Sequence, residues 1–210
     1  DTVRNILLRQ PVGVVLGIAP WNAPVVLATR AVAIPLAVGN TTVLKASERC
    51  PKTHSLVIEA LLEAGAPPGV ANLVTNAPEA AAEVTEALIR HAAVRRVNFT
   101  GSTRVGRSVA EVCARHLKPV VLELSGKAPV VVLDDADIDL AARAAAHGAF
   151  FNQGQVCLST ERVVVDHAIA DAFVAKLAEI ASAIRVGNPQ KKGVQFGPLI
   201  SADAAIRVQN

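Results

Sequence analysis

Cys157 is the side chain of this sequence whose surroundings best suit nucleophilic chemistry. It lies in a polar, glycine-containing loop, residues 150–160, between a predicted helix and a predicted strand. A cysteine thiolate attacks electrophilic carbon, and such a loop favours reactivity more than the apolar helix that holds Cys113. A buried, inert cysteine is the ordinary alternative. Cys50, Cys113 and Cys157 form no CxxC pair and no zinc-like Cys/His cluster, so the sequence predicts neither a disulfide scaffold nor a metal site.

Glu123 and Asn22 could supply a base and an oxyanion donor, because each follows an apolar run. Glu123 stands near the end of the run 120–124, where a buried, unpaired carboxylate would be costly. Ligands bind at the carboxyl ends of strands in open α/β sheets, although a glutamate that emerges into solvent is the alternative. The amide of Asn22 could donate to a developing oxyanion, or it could cap the helix that starts near Pro24.

Two further segments could hold a nucleotide. Residues 97–106 read as a strand, a glycine turn and a helix, which points backbone N–H groups and the positive helix end at a phosphate. Lys45 and Glu48 follow another strand and could hold a ribose and its phosphate, with a solvated surface pair as the alternative. A plain strand–helix turn without a ligand is also consistent with residues 97–106.

A nucleotide triphosphatase is a competing hypothesis. Residues 101–108 read GSTRVGRS, one residue away from a Walker A loop, and residues 130–135 read VVVLDD, like a Walker B strand. Arg107 stands where the loop requires lysine, and this exchange is not conservative because the two cations differ in shape and hydration.

The elements that position these residues alternate regularly between strand and helix. Strands are predicted at 12–19, 41–45, 71–75, 94–100, 120–124, 129–133 and 162–165. Helices are predicted at 24–38, from Pro51 to the turn cluster 65–69, and at 78–91, 102–116, 137–151 and 168–184. This pattern predicts a parallel, doubly wound α/β sheet, with a domain boundary near residues 125–126.

Composition excludes several classes of protein. The chain has 210 residues, of which 51% are hydrophobic, and a net charge of +3 without a Lys/Arg run. We therefore expect a folded, cytoplasmic protein that binds neither nucleic acid nor a membrane. The chain begins at Asp1 and contains no Met, so we expect it to be part of a longer protein.

Five motifs in one order carry a resemblance that covers most of the chain. They are PWNAP (20–24), LKASE (44–48), FTGS (99–102), LELSGKAP (122–129) and FFNQGQVCLSTER (150–162). Together they closely resemble the NAD(P)-dependent aldehyde dehydrogenase superfamily, from about Pro11 to Ile200. The spacing of 34 residues between Glu123 and Cys157 is also typical of that family.

The resemblance implies catalytic roles. Cys157 would be the nucleophile, Glu123 the base for the thiol or for the hydrolytic water, and Asn22 with the backbone N–H of Cys157 the oxyanion hole. The thiolate would add to the aldehyde to give a thiohemiacetal, which loses hydride to the nicotinamide, and water would release the carboxylic acid from the thioester. Acylating relatives would pass the thioester to coenzyme A instead, but Glu123 favours hydrolysis. A non-catalytic relative is a further alternative.

The resemblance also implies the cofactor site and the domains. Residues along the adenosine and pyrophosphate path would be Trp21, Lys45, Glu48, Gly101, Ser102 and Val105. Gly126 would lie near the nicotinamide. Glu48 favours NAD because a carboxylate at the ribose repels a 2′-phosphate, while Lys45 leaves NADP possible. Residues 11–125 would form a partial Rossmann-like NAD(P)-binding domain and residues 126–210 the start of an α/β catalytic domain.

Substrate and assembly follow from the same comparison. Residues 154–162 look like the branch that oxidises hydroxybenzaldehydes such as salicylaldehyde and vanillin. Asn22, Val26 and Arg30 are spaced as one helix face, so Arg30 could meet a phenolic hydroxyl, with an exposed arginine as the alternative. Residues 1–10 would end an oligomerisation strand, and we expect a homodimer or homotetramer.

The sequence departs from the family at three places. Residues 75–77 and Ser125 replace glycines that are common in the family, which weakens the predictions for the adenine edge and for the turn beside Glu123. The chain also stops before the segment in which the family carries a second glutamate for the nicotinamide ribose. We therefore expect residues 1–210 alone to be inactive, and measurable aldehyde oxidation by this piece would contradict that.

Overall fold

A computed structural model describes residues 3–209 of the chain. Their contacts divide it into two compact units, Asp1–Leu124 and Ser125–Asn210. Each unit has its own sheet and its own apolar core, so each is described separately.

The first unit is built on five parallel strands in the order β3-β2-β1-β4-β5. The strands are β1 (Val14–Ile18), β2 (Thr41–Lys45), β3 (Ala71–Val74), β4 (Val94–Thr100) and β5 (Val120–Glu123). The chain leaves β3 at one edge of the sheet and re-enters at β4, beside β1. This reversal creates a crevice between the carboxyl ends of β1 and β4, which is where open α/β sheets bind ligands.

Four helices cover the sheet of the first unit. They are α1 (Pro24–Ala37), α2 (Pro51–Glu63), α3 (Ala81–Arg90) and α4 (Thr103–Arg115). One buried cluster packs α1 and α2 against the sheet through residues such as Leu27 and Ile58, and a second includes Ile89 of α3 and Val109 of α4. The central strand β1 reads VVLGI and is apolar because both faces of the sheet are covered there, whereas β4 carries the exposed Arg95 and Arg96. The predicted doubly wound, parallel α/β fold is confirmed.

Gly17 sets the distance between β1 and α1. A Cβ at this position would lie 2.9 Å from the Cβ of Ala31 and 3.2 Å from its carbonyl oxygen. Only a glycine allows the helix to pack this closely on the strand. The close packing fixes where the loop after β1, which carries Trp21 and Asn22, leaves the sheet.

The second unit contains a two-stranded parallel sheet and three helices. The strands are β6 (Ala128–Val132) and β7 (Thr160–Val165), and the helices are α5 (Ile138–Phe150), α6 (Ala170–Ser182) and α7 (Ala202–Gln209). Val132, Ala142, Ala145 and Phe173 form its buried core. The helix α7 was not among the elements predicted from the sequence.

Several predicted boundaries were wrong by a few residues. The strand predicted at 12–19 is confined to Val14–Ile18. The helices predicted at 78–91 and 168–184 each begin with a 3₁₀ turn, Pro78–Ala80 and His167–Ile169, before the α-helix starts. Tight 3₁₀ turns are common at helix ends, and the periodicity of apolar residues does not separate them from the α-helix that follows.

Candidate active site

A groove with a volume of about 660 Å³ lies at the carboxyl end of the first unit's sheet. Residues that follow β1, β2 and β4 line it together with α3 and α4. The groove brings together six of the residues predicted to bind a cofactor, namely Trp21, Lys45, Glu48, Gly101, Ser102 and Val105. Gly126, the seventh, belongs to the second unit. That these residues bind a dinucleotide stays a prediction.

The start of α4 forms one wall of the groove. Ser102 is the N-cap residue, and its hydroxyl accepts a hydrogen bond from the backbone N–H of Val105 at 3.4 Å. A Cβ on Gly101 would lie 2.6 Å from the ring of Phe99, so the turn into the helix can carry no side chain there. The positive end of α4 therefore faces the groove across a bare backbone turn, an arrangement that suits a phosphate.

Lys45 and Glu48 also line the groove, where they form a partly buried ion pair. The Nζ of Lys45 donates to Oε1 of Glu48 at 2.5 Å, and Lys45 is only 4% exposed. Burial raises the pKa of Glu48, but hydrogen bonds from Lys45, from its own backbone N–H and from Asn76, with the charge of Lys45, lower it overall. The alternative of a solvated surface pair is therefore wrong. The groove presents an ionised carboxylate beside an ammonium group.

These walls fit a nicotinamide dinucleotide. The bare turn and positive end of α4 match a pyrophosphate, and the carboxylate of Glu48 matches the hydroxyls of a ribose. Trp21 adds an aromatic surface within the same groove. The donor set therefore agrees with the cofactor that the motifs implied.

His54 of α2 connects the loops after β1 and β2. Its ring is fully buried, and Nδ1 accepts a hydrogen bond from the backbone N–H of Ser47 at 3.2 Å. Nε2 lies 3.6 Å from Sγ of Cys50, and the ring also forms a backbone hydrogen bond with Pro20. Burial lowers the pKa of His54, the bond to Pro20 opposes this, and the charge of Lys45 adds to it. A neutral imidazole thus holds both loops that carry groove residues.

Glu123 and Arg30 line a second groove of the first unit, with a volume of about 450 Å³. Glu123 is the last residue of β5, is exposed, and pairs in register with Thr100 of β4. The guanidinium of Arg30 donates from Nη2 to the hydroxyl of Thr100 at 3.1 Å. The structure thus brings the predicted base and the predicted substrate residue to one groove.

Asn22 lies outside α1, which corrects two expectations. The helix begins at Pro24, so Asn22 cannot share a helix face with Val26 and Arg30. The N-cap residue is Ala23, and no side chain caps the helix, so Asn22 is not its cap either. Asn22 lies in the loop after the central strand β1, and the oxyanion-donor hypothesis stays a prediction.

Cys157 lies in a loop of the second unit before β7, as the sequence predicted, and its side chain is exposed. The loop contains three consecutive residues with left-handed backbone angles, at φ of 50° for Asn152, 58° for Gln153 and 71° for Gly154. Non-glycine residues adopt this conformation at a cost, and such strain often accompanies functional sites. Ile200 supports the loop through its backbone N–H, which donates to Oε1 of Gln155 at 3.0 Å.

Gly126 lies beside the Cys157 loop. A Cβ on Gly126 would lie 3.4 Å from the carbonyl oxygen of Cys157, so the backbone after β5 passes close to the backbone of the nucleophile loop. Gly126 therefore lies near the predicted nucleophile Cys157, while its role at the nicotinamide stays a prediction.

The other cysteines differ from Cys157 in exposure. Cys113 is fully buried on α4, and Cys50 is half-buried at the N-cap of α2. Burial raises the pKa of both thiols, so both stay protonated more readily than a free cysteine does. Cys157 is exposed, which makes it the accessible thiol of the three.

No group of three or more His, Cys, Asp or Glu side chains within residues 3–209 could hold a metal ion. No helix in the described part of the chain is long and apolar enough to cross a membrane.

The sequence profile of the aldehyde dehydrogenase family matches residues 1–210. This chain belongs to the aldehyde dehydrogenase family. The resemblance inferred from the five motifs is confirmed, and the nucleotide triphosphatase hypothesis loses its support.

Relatives within the family are similar along almost the whole chain. A vanillin dehydrogenase of Pseudomonas fluorescens is 60% identical over 202 residues, which are 96% of this chain and 42% of that protein. The chain therefore spans less than half the length of this relative.

Solved aldehyde dehydrogenase structures agree with the fold. A salicylaldehyde dehydrogenase from Pseudomonas putida G7, crystallised with salicylaldehyde, superposes with a TM-score of 0.94 at 50% identity, over 96% of this chain and 42% of that one. A betaine aldehyde dehydrogenase from Staphylococcus aureus, solved with NAD+, gives a TM-score of 0.89 at 36% identity, over 95% and 39% of the two chains.

Three residues of this aldehyde dehydrogenase chain make contacts at the site that were not predicted from the sequence. Asn76 contacts Glu48, His54 connects two loops, and Thr100 accepts the hydrogen bond from Arg30. Asn76 belongs to the segment 75–77, which replaces glycines that are common in the family. The Arg30–Thr100 contact joins residues 70 positions apart and has no local signal in the sequence.

Proposed function

We propose that the intact protein oxidises an aldehyde to a carboxylic acid with a nicotinamide dinucleotide. The observation that carries this proposal is the exposed thiol of Cys157 in a loop with strained backbone, in a chain that matches the family throughout. Because the chain spans about 42% of its curated relative, the activity is proposed for the whole protein.

In the proposed mechanism Cys157 forms a covalent bond to the substrate. Its thiolate adds to the carbonyl carbon, and the amide of Asn22 and the backbone N–H of Cys157 donate hydrogen bonds to the oxyanion. A nicotinamide dinucleotide, when bound, supplies the acceptor for the hydride that leaves this carbon. Water then attacks the thioester, Glu123 accepts the proton, and the carboxylic acid departs as the thiol is restored.

For the cofactor, membership of the family supports a nicotinamide dinucleotide, and we propose NAD over NADP. Trp21, Lys45, Glu48, Gly101, Ser102 and Val105 would hold it in the larger groove, and Gly126 would lie near the nicotinamide. The support for NAD is the ionised carboxylate of Glu48, which accepts hydrogen bonds from ribose hydroxyls and repels a 2′-phosphate.

For the substrate, we propose an aromatic aldehyde of the hydroxybenzaldehyde type. Support comes from the names of the similar proteins, vanillin and salicylaldehyde dehydrogenases, and from Arg30, which lines the second groove together with Glu123. If Arg30 meets a phenolic hydroxyl, Arg30→Ala should lower kcat/KM for hydroxybenzaldehydes more than for aliphatic aldehydes. Equal losses for both classes would contradict this role.

We also propose that the intact protein is a cytoplasmic homodimer or homotetramer. The support is the apolar N-terminal segment that resembles an oligomerisation strand, whose side chains at Val3, Ile6, Leu7 and Leu8 are strongly exposed.

One experiment tests the activity itself. The intact protein should be assayed with aromatic and aliphatic aldehydes, each with NAD and with NADP, beside the Cys157→Ala variant and the control Cys113→Ala. We expect aldehyde-dependent reduction of the dinucleotide that Cys157→Ala abolishes and Cys113→Ala retains. Turnover that survives in Cys157→Ala would overturn the mechanism.

A further inference from the structure

Asn76, in the loop after β3, holds the carboxylate of Glu48. Its Nδ2 donates to Oε1 of Glu48 at 3.0 Å and to the backbone carbonyl of Ala77 at 2.8 Å. Both partners are acceptors, so the amide must present its nitrogen to them. The amide oxygen of Asn76 is enclosed and has no hydrogen-bond partner among the described residues. Glu48 and the carbonyl of Ala77 thus orient the side chain of Asn76, and its amide oxygen is left without a hydrogen bond.

Glu48 is therefore held from two neighbouring strands. Lys45 and Asn76 both donate to the same oxygen, Oε1. Lys45 is the last residue of β2 and pairs in parallel with Val74 of β3, and Asn76 follows β3. Neither donor uses the second oxygen, Oε2. The carboxylate is fixed on one side while it lines the larger groove.

The two donors have different consequences for cofactor choice. The ammonium group of Lys45 also donates to the backbone carbonyl of Ala46 at 3.3 Å, but its positive charge attracts a 2′-phosphate as well as Glu48. The carboxamide of Asn76 carries no charge and is tied to the carbonyl of Ala77, so it has no such alternative. A carboxylate that is held in place cannot swing away to admit a phosphate, and their like charges then repel.

We propose that Asn76 is a specificity-determining residue, which acts as a positioning residue for Glu48 and makes the groove reject a dinucleotide with a 2′-phosphate. This inference rests on the proposed function, since it assumes that the groove holds NAD. It assigns part of the NAD preference to a side chain outside the Lys45–Glu48 pair.

The test compares dissociation constants of NAD and NADP by titration calorimetry on the intact protein and on Asn76→Ala. The variant should lose one hydrogen bond to a charged group, so we expect the preference for NAD over NADP to fall about three- to tenfold. If Asn76 has only a structural role, the variant should bind NAD and NADP more weakly by the same factor, and the ratio of the two dissociation constants should not change. Asn72→Ala is the matched control, because Asn72 lies on β3 and donates to the carbonyls of Thr42 and Gly69.

A double-variant cycle shows whether Asn76 acts through Glu48. In a Glu48→Gln background the NAD preference should already be low, and adding Asn76→Ala should change the ratio by less than about twofold. An unchanged ratio in Asn76→Ala alone, with NAD still bound, overturns the inference and leaves the proposed function intact. An intact protein that binds neither dinucleotide overturns both.

Discussion

At the scale of single residues, the account depends on polar side chains that follow the strands. Glu123 is the exposed last residue of β5, in register with Thr100, which itself accepts a hydrogen bond from Arg30. A carboxylate in this position can receive a proton, which is the role that the family resemblance implies for it.

We expect Glu123→Gln in the intact protein to lower kcat about 10²- to 10⁴-fold, the usual contribution of a general base. The amide keeps the shape of the side chain and removes its basicity. If the base serves the hydrolytic water, a rapid burst of reduced dinucleotide precedes the slow phase in stopped-flow absorbance. Glu63→Gln, at the exposed end of α2, is the control, and wild-type turnover in Glu123→Gln would refute the assignment.

Much of the candidate site could be predicted at this scale, because strand ends are visible in the sequence. Lys45, Glu48, Gly101 and Ser102 each follow an apolar run, and parallel strands bring such positions to one edge. The contact of Asn76 with Glu48 could not be predicted, since it joins residues 28 positions apart through the pairing of β2 with β3.

At the scale of elements, α2 holds the groove loops through His54. Burial lowers the pKa of His54, the hydrogen bond to Pro20 opposes this shift, and the charge of Lys45 adds to it. Protonation of Nδ1 would also break the hydrogen bond from the backbone N–H of Ser47. As the pH falls through about 6.5, the ordinary histidine pKa, His54 in the unfolded chain therefore binds a proton before His54 in the folded protein does.

This sign gives a prediction for stability. The contribution of His54 is complete above about pH 6.5 and is lost as pH falls through its lowered folded pKa. We expect urea unfolding between about pH 7.5 and 5.5 to show a smaller loss of stability for His54→Gln than for wild type. Near neutral pH the variant should be less stable by about 1–2 kcal/mol, the cost of a lost buried hydrogen bond. An equal pH dependence in the two proteins would exclude His54 as the titrating group, and His91→Gln, at an exposed position, is the control.

The contact of β1 with α1 gives a second prediction for an element. Gly17→Ala should lower the free energy of unfolding by about 1–3 kcal/mol, because the new methyl group meets the backbone of Ala31. Chemical denaturation measures the change. Gly187→Ala is a suitable control because its Cβ would lie at an ordinary 3.5 Å from Val194, and equal stabilities for the two variants would show that α1 shifts without cost.

The elements themselves were predictable where local signals are strong. The predicted strands at 41–45 and 94–100 have the observed bounds. Gly39 and Asn40 mark a turn before the first strand, and turns at His91 and Gly101 flank the second. The left-handed run at Asn152 and Gln153 was not predictable, since asparagine tolerates a positive φ as a single residue but a following glutamine does not favour one without tertiary support. The helix α7 is only eight residues long and gave too short a pattern to recognise.

At the scale of the whole molecule, the N-terminal segment carries an unusual apolar surface. The side chain of Leu7 is 87% exposed, in a stretch that holds three further exposed aliphatic residues. Such a surface is typical of an interface between subunits.

We expect Leu7→Glu to shift the intact protein to a smaller assembly in sedimentation velocity, because a carboxylate would be buried without a partner at the interface. Leu117→Glu is the matched control, since Leu117 is 92% exposed at the end of α4. If both variants sediment like wild type, the segment does not form the subunit interface.

The central claim is that Cys157 forms the covalent bond to the substrate, and rapid-quench mass spectrometry tests it most directly. The intact protein would be mixed with NAD and an aromatic aldehyde, quenched in acid within milliseconds, digested and mapped. We expect the mass of one acyl group on the peptide that contains Cys157, and none in Cys157→Ala. An acyl group on Cys50 or Cys113, or turnover with Cys157 never modified, would contradict the account.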